Sequence, residues 1–101
     1  MKVRFEWDPL KAEANRRKHG VSFEVAIRAF ADPFAISEQD RVEDREQRWR
    51  TIGLVNDQLL LIVAHTAGEA DEGGETVEVI RIISARKAER RERRCYEQEP
   101  R

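Results

Sequence analysis

The first part of the chain has the residue pattern of a short strand followed by a helix. Residues 3–7 alternate apolar and polar side chains, which predicts a β-strand because successive side chains of a strand point to opposite faces. Asp8 and Pro9 then form a typical helix start, with the Asp8 side chain as the cap and Pro9 at the first helical position. Gly20 is expected to end this helix, since glycine readily adopts the left-handed conformation that follows a last helical turn.

A second helix is predicted to follow directly. Ser22 is a suitable cap, and Asp32-Pro33 is a stop signal because the residue before a proline is disfavoured in a helix. Between them the apolar residues are spaced for one helical face, at Phe23, Ala26, Ile27 and Phe30. We expect this stripe to pack one side of the helix against a core.

After Pro33 the apolar pattern changes to a period of two, which predicts β-strands. The expected strands are 34–37, 48–55, 58–66 and 76–84. Asn56-Asp57 is expected to form the turn of a hairpin. Two polar segments are predicted to be loops, a mobile one at 38–47 and an acidic one at 68–75.

The last predicted element is a highly charged helix from Ala85 to about Glu97, with Ser84 as its cap. The resulting order is β-α-α-β-β-β-β-α, in which consecutive strands favour a mainly antiparallel sheet packed by helices. We therefore predict an α+β fold in a single domain over residues 1–101, because a chain of 101 residues leaves no room for a second core.

The distribution of charge bears on possible partners, since 39% of the residues are charged although the net charge is −1. Residues 1–20 carry six basic and three acidic residues, residues 21–80 carry five and thirteen, and residues 81–101 carry eight and four. Basic ends that fold onto one side of the domain would form a positive surface able to hold a phosphate backbone. The near-neutral total therefore does not exclude a nucleic-acid partner.

Other features of the composition limit the compartment and the chemistry. The single cysteine, Cys95, excludes an internal disulfide and fits a reducing compartment. The longest apolar run, 59–64, is too short for a signal peptide or a membrane span, so a soluble cytoplasmic protein is expected. Neither the two histidines nor Cys95 has the spacing of a metal site, and we expect no metal and no cofactor.

Arginines on predicted strands are the first candidates for chemistry. Arg81 shares a strand face with the apolar residues at 77, 79 and 83, and a guanidinium in such surroundings must be paired or face a cleft. Arg48 and Arg50 share one face of their own strand. Two interpretations stay open: the arginines bind an anion, or Arg81 pairs with an acid while the other two decorate an exposed face.

Two histidines and the charged last helix provide further candidates. His65 ends an apolar strand, where an imidazole could transfer protons near neutral pH or serve as a hydrogen-bonded structural residue. His19 lies in the last turn of the first helix, where a cation interacts favourably with the helix dipole. The last helix has more arginine than glutamate, and Tyr96 within it could pack, stack on a base or donate a proton.

Several short motifs together resemble the BrnT toxin family, and they occur in the right order over nearly the whole chain. In the N-terminal half these motifs are Phe5-Glu6-Trp7-Asp8-Pro9, Asn15-x-x-Lys18-His19-Gly20-Val21, Phe23-x-x-Ala26 and Phe30-Ala31-Asp32-Pro33. In the C-terminal half they are Arg48-Trp49-x-x-Ile52-Gly53 and Ile80-Arg81-Ile82-Ile83-Ser84-Ala85-Arg86-Lys87-Ala88, with Glu92 and Tyr96 beyond. The chain departs from the family mainly in the acidic insert 68–75, where the family usually has a shorter turn.

This resemblance implies a RelE-like fold and an endoribonuclease that halts translation. It also implies a BrnA-type antitoxin, a ribbon-helix-helix protein through which the pair would bind DNA and repress its own operon. Metal-independent RNA cleavage can use the 2′-OH of the substrate as nucleophile, so the protein need only stabilise charge and transfer protons. The residue pattern and the resemblance therefore favour the same kind of mechanism.

On this hypothesis Arg81, with Arg48 or Arg86, binds the scissile phosphate. The preferred proton-transfer group is His65, and its alternatives are Lys18, His19 and Tyr96. Flanking phosphates would be held by further basic residues, mainly of the last helix: Arg50, Lys87, Arg90, Arg91, Arg93 and Arg94.

Two other hypotheses from different classes of protein remain. One is a non-catalytic module whose basic ends bind nucleic acid without cleaving it. The other is a structural partner of a DNA-binding repressor, in which the acidic middle of the chain contacts a basic antitoxin and serves operon autoregulation. Growth arrest on expression distinguishes the enzyme from both.

Overall fold

A computed structural model describes residues 2–99, which form a five-stranded sheet with helices on both of its faces. The strands are β1 (Lys2–Glu6), β2 (Ile36–Glu43), β3 (Glu46–Val55), β4 (Leu59–Glu72) and β5 (Glu75–Lys87). The helices are α1 (Pro9–His19), α2 (Phe23–Ala26) and α3 (Arg90–Gln98), and α2 continues as a 3-10 helix over Ile27–Ala31. The predicted element order and the α+β class are confirmed.

The sheet has the strand order β1-β5-β4-β3-β2. Three hairpins connect β2 to β5 as an antiparallel meander, whereas β1 pairs in parallel with β5, the last strand. The helical segment from α1 to the 3-10 helix leads from β1 at one edge of the sheet to β2 at the other. It therefore crosses one whole face of the sheet, which we call the helical face.

Local signals fixed both ends of α1 and the start of α2 as predicted. The Asp8 carboxylate accepts a hydrogen bond from the Leu10 amide at 2.8 Å, and the Ser22 hydroxyl accepts one from the Val25 amide at 3.1 Å. Gly20 ends α1 with a φ of 72°. These side chains satisfy amides that the first helical turn leaves without partners, and the glycine allows the chain to reverse at once into α2.

The two predicted loops are wrong, because both segments belong to hairpins. Residues 38–47 form the outer ends of β2 and β3, which meet at Asp44-Arg45, both with positive φ. Residues 68–75 extend β4 and β5, which stay paired as far as Glu72 and Glu75 and turn at Gly73-Gly74. Strand ends that extend beyond the core carry polar residues on both faces, so the apolar alternation that predicts a strand is absent from them.

The last helix begins later than predicted. β5 continues to Lys87, and the cap of α3 is Glu89 and not Ser84. Glu89 forms a capping box with Glu92, in which each side chain binds the backbone amide of the other residue. The Ala88 amide also donates to the Leu60 carbonyl at 2.9 Å, which extends the sheet ladder to the start of the helix.

The core lies mainly on the helical face. There Phe23, Ala26 and Ala29 pack against Val63 and Ile82, all of them buried. A smaller cluster on the opposite face joins Ile52, Leu60 and Ile62 of the sheet to Tyr96 of α3. α3 therefore covers one end of that second face.

A buried amide connects α1 to the sheet. Asn15 donates hydrogen bonds to the carbonyls of Val21 and Ala85, at 3.0 and 2.8 Å, and accepts one from the Ala85 amide at 3.0 Å. Three bonds from one side chain satisfy polar groups that burial would otherwise leave unpaired. They fix the position of α1 on the helical face of β5.

Gly53→Ala is expected to destabilise the fold. A Cβ at Gly53 would lie 2.2 Å from the carbonyl oxygen of Ala29, where β3 passes beneath the 3-10 helix, so the backbone would have to move. Overpacking of this kind costs about 1–3 kcal/mol of unfolding free energy, measurable by urea denaturation. The matched control is Gly68→Ala on β4, where a Cβ meets nothing within 4 Å. Equal stability of both variants would contradict the prediction.

Candidate functional site

Two arginines of β3 project from the sheet face that carries α3. Arg48 and Arg50 alternate along the strand with residues of the helical face and lie on the same side as Ile52. Ile52 belongs to the cluster that packs against Tyr96 of α3, which identifies this side of the sheet. Arg48 and Arg50 therefore share one face of β3, as predicted, and this face is opposite the one that α1 and α2 cover.

Two arginines of β5 lie on the same side. Arg86 is directly opposite Ile62, which also packs against α3, and Arg81 is directly opposite Thr66 on β4. A β-bulge between Ala64 and His65 shifts the register of β4 and β5 between these two positions. We call the surface formed by Arg48, Arg50, Arg81 and Arg86 the arginine face.

Arg81 is paired with an acid and at the same time reachable from solvent. Its guanidinium donates to a carboxylate oxygen of Glu46 at 2.6 Å, and 42% of each side chain is exposed. Glu46 is the first residue of β3, two positions before Arg48. Sequence reasoning missed Glu46 because it assigned the segment to a loop, although Glu46, Arg48 and Arg50 continue the alternation of the strand.

Three arginines of this surface form ion pairs, and Arg48 is the most buried of the three. Its side chain is 18% exposed, and its nearest carboxylate, that of Glu43, lies 3.9 Å away. Within residues 2–99 its Nε is a buried side-chain nitrogen without a hydrogen-bond partner. The contact with Glu43 is too long for a hydrogen bond, so the terminal nitrogens of the Arg48 guanidinium keep N–H donors for an anion.

Arg86 has a different environment from Arg81. It donates two hydrogen bonds to the Glu92 carboxylate of α3, at 2.8 and 2.7 Å. These bonds lower the pKa of Glu92 and raise the pKa of Arg86, while partial burial opposes both shifts. Because Glu92 also accepts from the Glu89 amide at 2.9 Å, this pair fastens the start of α3 to the sheet.

The structure places His65 on the helical face, away from the arginines. It is 4% exposed, and its ring packs edge-on against Phe30 with the ring centroids 4.9 Å apart. Its Nε2 lies 2.8 Å from the Thr51 hydroxyl oxygen and its Nδ1 lies 3.1 Å from the Thr66 carbonyl oxygen. This geometry supports the interpretation of His65 as a hydrogen-bonded structural residue, and not the preferred role in proton transfer.

The three alternatives for proton transfer also lie apart from the arginine face or are already engaged. Lys18 and His19 are in the last turn of α1, which packs on the helical face. Tyr96 is 6% exposed and donates its hydroxyl proton to Asp32 at 2.5 Å. Asp32 also accepts from the Leu54 amide at 2.8 Å, so Tyr96 joins α3 to the segment before β2.

The predicted flanking residues divide between the two sides of the sheet. Arg50 lies on the arginine face, whereas Lys87 is opposite Leu61, a residue of the core on the helical face. The remaining arginines are exposed on α3, at Arg90, Arg91, Arg93 and Arg94. α3 therefore adds positive charge beside the arginine face, while Lys87 does not.

Within residues 2–99, no group of three or more histidine, cysteine, aspartate or glutamate side chains is arranged to hold a metal ion. In the same part of the chain no helix is long and apolar enough to cross a membrane.

Comparison with known proteins gives a family. Residues 7–92 match the family described as the ribonuclease toxin BrnT of type II toxin–antitoxin systems. The chain belongs to the BrnT family. The crystal structure of the Brucella abortus ribonuclease toxin BrnT superposes with a TM-score of 0.56 at 21% identity, covering 89% of this chain and 100% of that one. A protein named Elevenin from Conus ebraeus is 30% identical over 75 residues, which is 69% of this chain and 68% of that protein.

The match to the BrnT structure confirms the fold, with its mainly antiparallel five-stranded sheet and three helices. The finer expectation of a RelE-like topology stays a prediction. The family match covers every arginine of the arginine face as well as Glu46 and Glu92. The chain is thus a member of a family of ribonuclease toxins, and the arginine face lies within its matched region.

Burial of His65 is expected to make the protein less stable in mild acid. Burial lowers the pKa of His65 in the folded state, so below the ordinary histidine value near 6.5 the unfolded chain binds a proton that the folded chain does not. Stability is therefore fully present above that value and falls as the pH is lowered through it. Urea denaturation at pH 7.5 and 5.5 would show this loss.

His65→Gln should reduce that pH dependence, because glutamine does not titrate. The control is His19→Gln in the last turn of α1, which should keep it. A pH dependence that is identical in wild type and His65→Gln would show that other groups cause it.

Proposed function

We propose that this BrnT-family protein is a metal-independent endoribonuclease that cleaves RNA by attack of the 2′-OH and so inhibits translation. The observation that supports this most is the arginine face, in which Arg81 and Arg48 flank Thr66 outside the cluster that packs against α3. Trp49, next to Arg48, pairs with His65, next to Thr66, so the two arginines lie in one row across three strands. Their long side chains can reach a single phosphate between them.

In this proposal Arg81 and Arg48 bind the scissile phosphate and stabilise the negative charge that it gains in the transition state. Guanidinium groups suit this task, because two parallel N–H donors match two phosphate oxygens. Partial burial of Arg48 raises its electrostatic effect relative to an exposed cation, since the local dielectric is lower. Positive charge held in this way replaces the Lewis acid that metal-dependent nucleases use.

Other basic residues extend this surface. Arg50 lies two residues further along β3, toward α3, and the exposed arginines of α3 continue the positive surface from there. They would hold phosphates next to the scissile one and make RNA binding salt-dependent. Arg86 has a structural role in this scheme, because both of its terminal guanidinium nitrogens already donate to Glu92.

The partner is an antitoxin, which we propose to be of the BrnA type and to carry the complex to DNA. The extended hairpin of β4 and β5 is acidic at its outer end, with Glu69, Asp71, Glu72 and Glu75. Such a surface repels RNA and complements a basic protein. We place the functional complex in the cytoplasm, where RNA and ribosomes are found.

Arg81→Ala is expected to remove most of the activity while the protein stays folded. Loss of a phosphate contact and of charge stabilisation together should lower the cleavage rate by about 10²-fold or more. The measurement is cleavage of a labelled single-stranded RNA by purified protein with EDTA present, beside growth of bacteria that express each variant. Arg28→Ala, an exposed arginine of the 3-10 helix, is the matched control and should behave as wild type.

Full activity of Arg81→Ala would remove Arg81 from the site. A folded wild type that binds RNA without cleaving it and does not arrest growth would favour the non-catalytic module. Activity that EDTA abolishes and Mg²⁺ restores would contradict metal independence.

A further inference from the structure

We propose that Glu46 is the general base of the cleavage reaction, the group that accepts the proton of the attacking 2′-OH. This inference rests on the proposed ribonuclease function of the arginine face. It assigns proton transfer to a residue that sequence reasoning did not consider, in place of His65.

The position of Glu46 suits this role. Its carboxylate accepts a hydrogen bond from Arg81 at 2.6 Å, and 42% of its side chain is exposed, so RNA bound to Arg81 can reach it. Arg81 engages Glu46 through one terminal nitrogen and keeps further N–H donors for a phosphate. A phosphate on Arg81 therefore brings its adjacent ribose next to the Glu46 carboxylate.

The Glu46 carboxylate lies beside two arginines of the arginine face. Arg81 faces Glu46 from β5, and Arg48 lies two residues away on the same face of β3. Glu43, directly opposite on β2, is the acidic neighbour, and its own carboxylate is engaged with Arg41 at 3.2 Å. A carboxylate that lies within hydrogen-bond reach of the substrate hydroxyl can serve as the general base of this step.

The other candidates are less well placed for the same step. His65 points to the helical face, and Tyr96 already donates to Asp32. Glu92 lies on this side of the sheet, but it already accepts two hydrogen bonds from Arg86 and one from the Glu89 amide. Glu46 combines solvent access with contact to the arginine that would bind the phosphate.

The step can be written with all bonds and protons in balance. Glu46 takes the 2′-OH proton while the 2′-oxygen forms a bond to phosphorus, and the bond between phosphorus and the 5′-oxygen breaks. The 5′-oxygen leaves with the electron pair and takes a proton from water, and the hydroxide that remains takes the proton from Glu46. The products are a 2′,3′-cyclic phosphate and a 5′-hydroxyl end.

The test is Glu46→Gln, which keeps the shape of the side chain and an oxygen that can accept from Arg81 but cannot act as a base. We expect its single-turnover cleavage rate to fall by about 10²- to 10⁴-fold. Its affinity for a non-cleavable 2′-O-methyl RNA should be unchanged or higher, because a negative charge next to the phosphate is removed. Glu46→Asp, which retains a carboxylate, should recover part of the rate. The matched control is Glu24→Gln, exposed in α2, which should cleave as wild type.

The outcomes separate this inference from the proposed function. If Glu46→Gln loses rate and keeps affinity, Glu46 acts in the chemical step. If wild type cleaves RNA and Glu46→Gln cleaves equally fast, the inference is wrong while the proposed function stands. If Glu46→Gln loses rate and affinity together, as expected for Arg81→Ala, Glu46 positions Arg81 and is not the base. If wild type does not cleave RNA, the proposed function itself fails.

Discussion

The alternation of side chains along β3, β4 and β5 is the constraint on which the rest of this structure depends. One side of these strands must bury apolar residues beneath the helical segment, and the arginines of the same strands lie on the other side. α3 has nine residues and covers one end of that side at Ile52 and Ile62. Arg48 and Arg81 lie on the same side of the sheet, outside the cluster that packs against α3.

Arg86 and Arg81 show how the partner of a charge decides its role. Both lie on the arginine face and both bind a glutamate, but Glu92 is itself held in a capping box whereas Glu46 is half-exposed on a strand. Because Glu92 accepts from several donors, separating it from Arg86 would also disturb the start of α3, and the pair therefore stabilises the fold. A carboxylate held by one arginine in contact with water leaves both groups available to a substrate.

Local signals made the ends of α1, the start of α2 and the order of elements predictable from the sequence. Asp8, Ser22 and Gly20 act within their own turn, so their effect does not depend on distant contacts. The outer hairpins were not predictable, because their strands are polar on both faces and are held by backbone pairing with a neighbouring strand, which leaves no pattern in the sequence. The site is limited in the same way. Alternation along the strands places His65 and Arg48 on opposite faces of the sheet, but the sequence does not show which face the helices cover, because long-range packing decides that. Glu46 was missed because the polar start of β3 was predicted to be part of a loop.

The parallel pairing of β1 with β5 has a consequence for synthesis of the chain. β1 is synthesised before β5, the strand with which it pairs, so the sheet cannot be completed until residues of β5 have emerged from the ribosome. Arg81 lies on β5 itself, opposite Thr66 of β4. A nascent chain that ends before β5 thus has neither a closed core nor an assembled arginine face. The arginine face is therefore complete only after β5 has been synthesised.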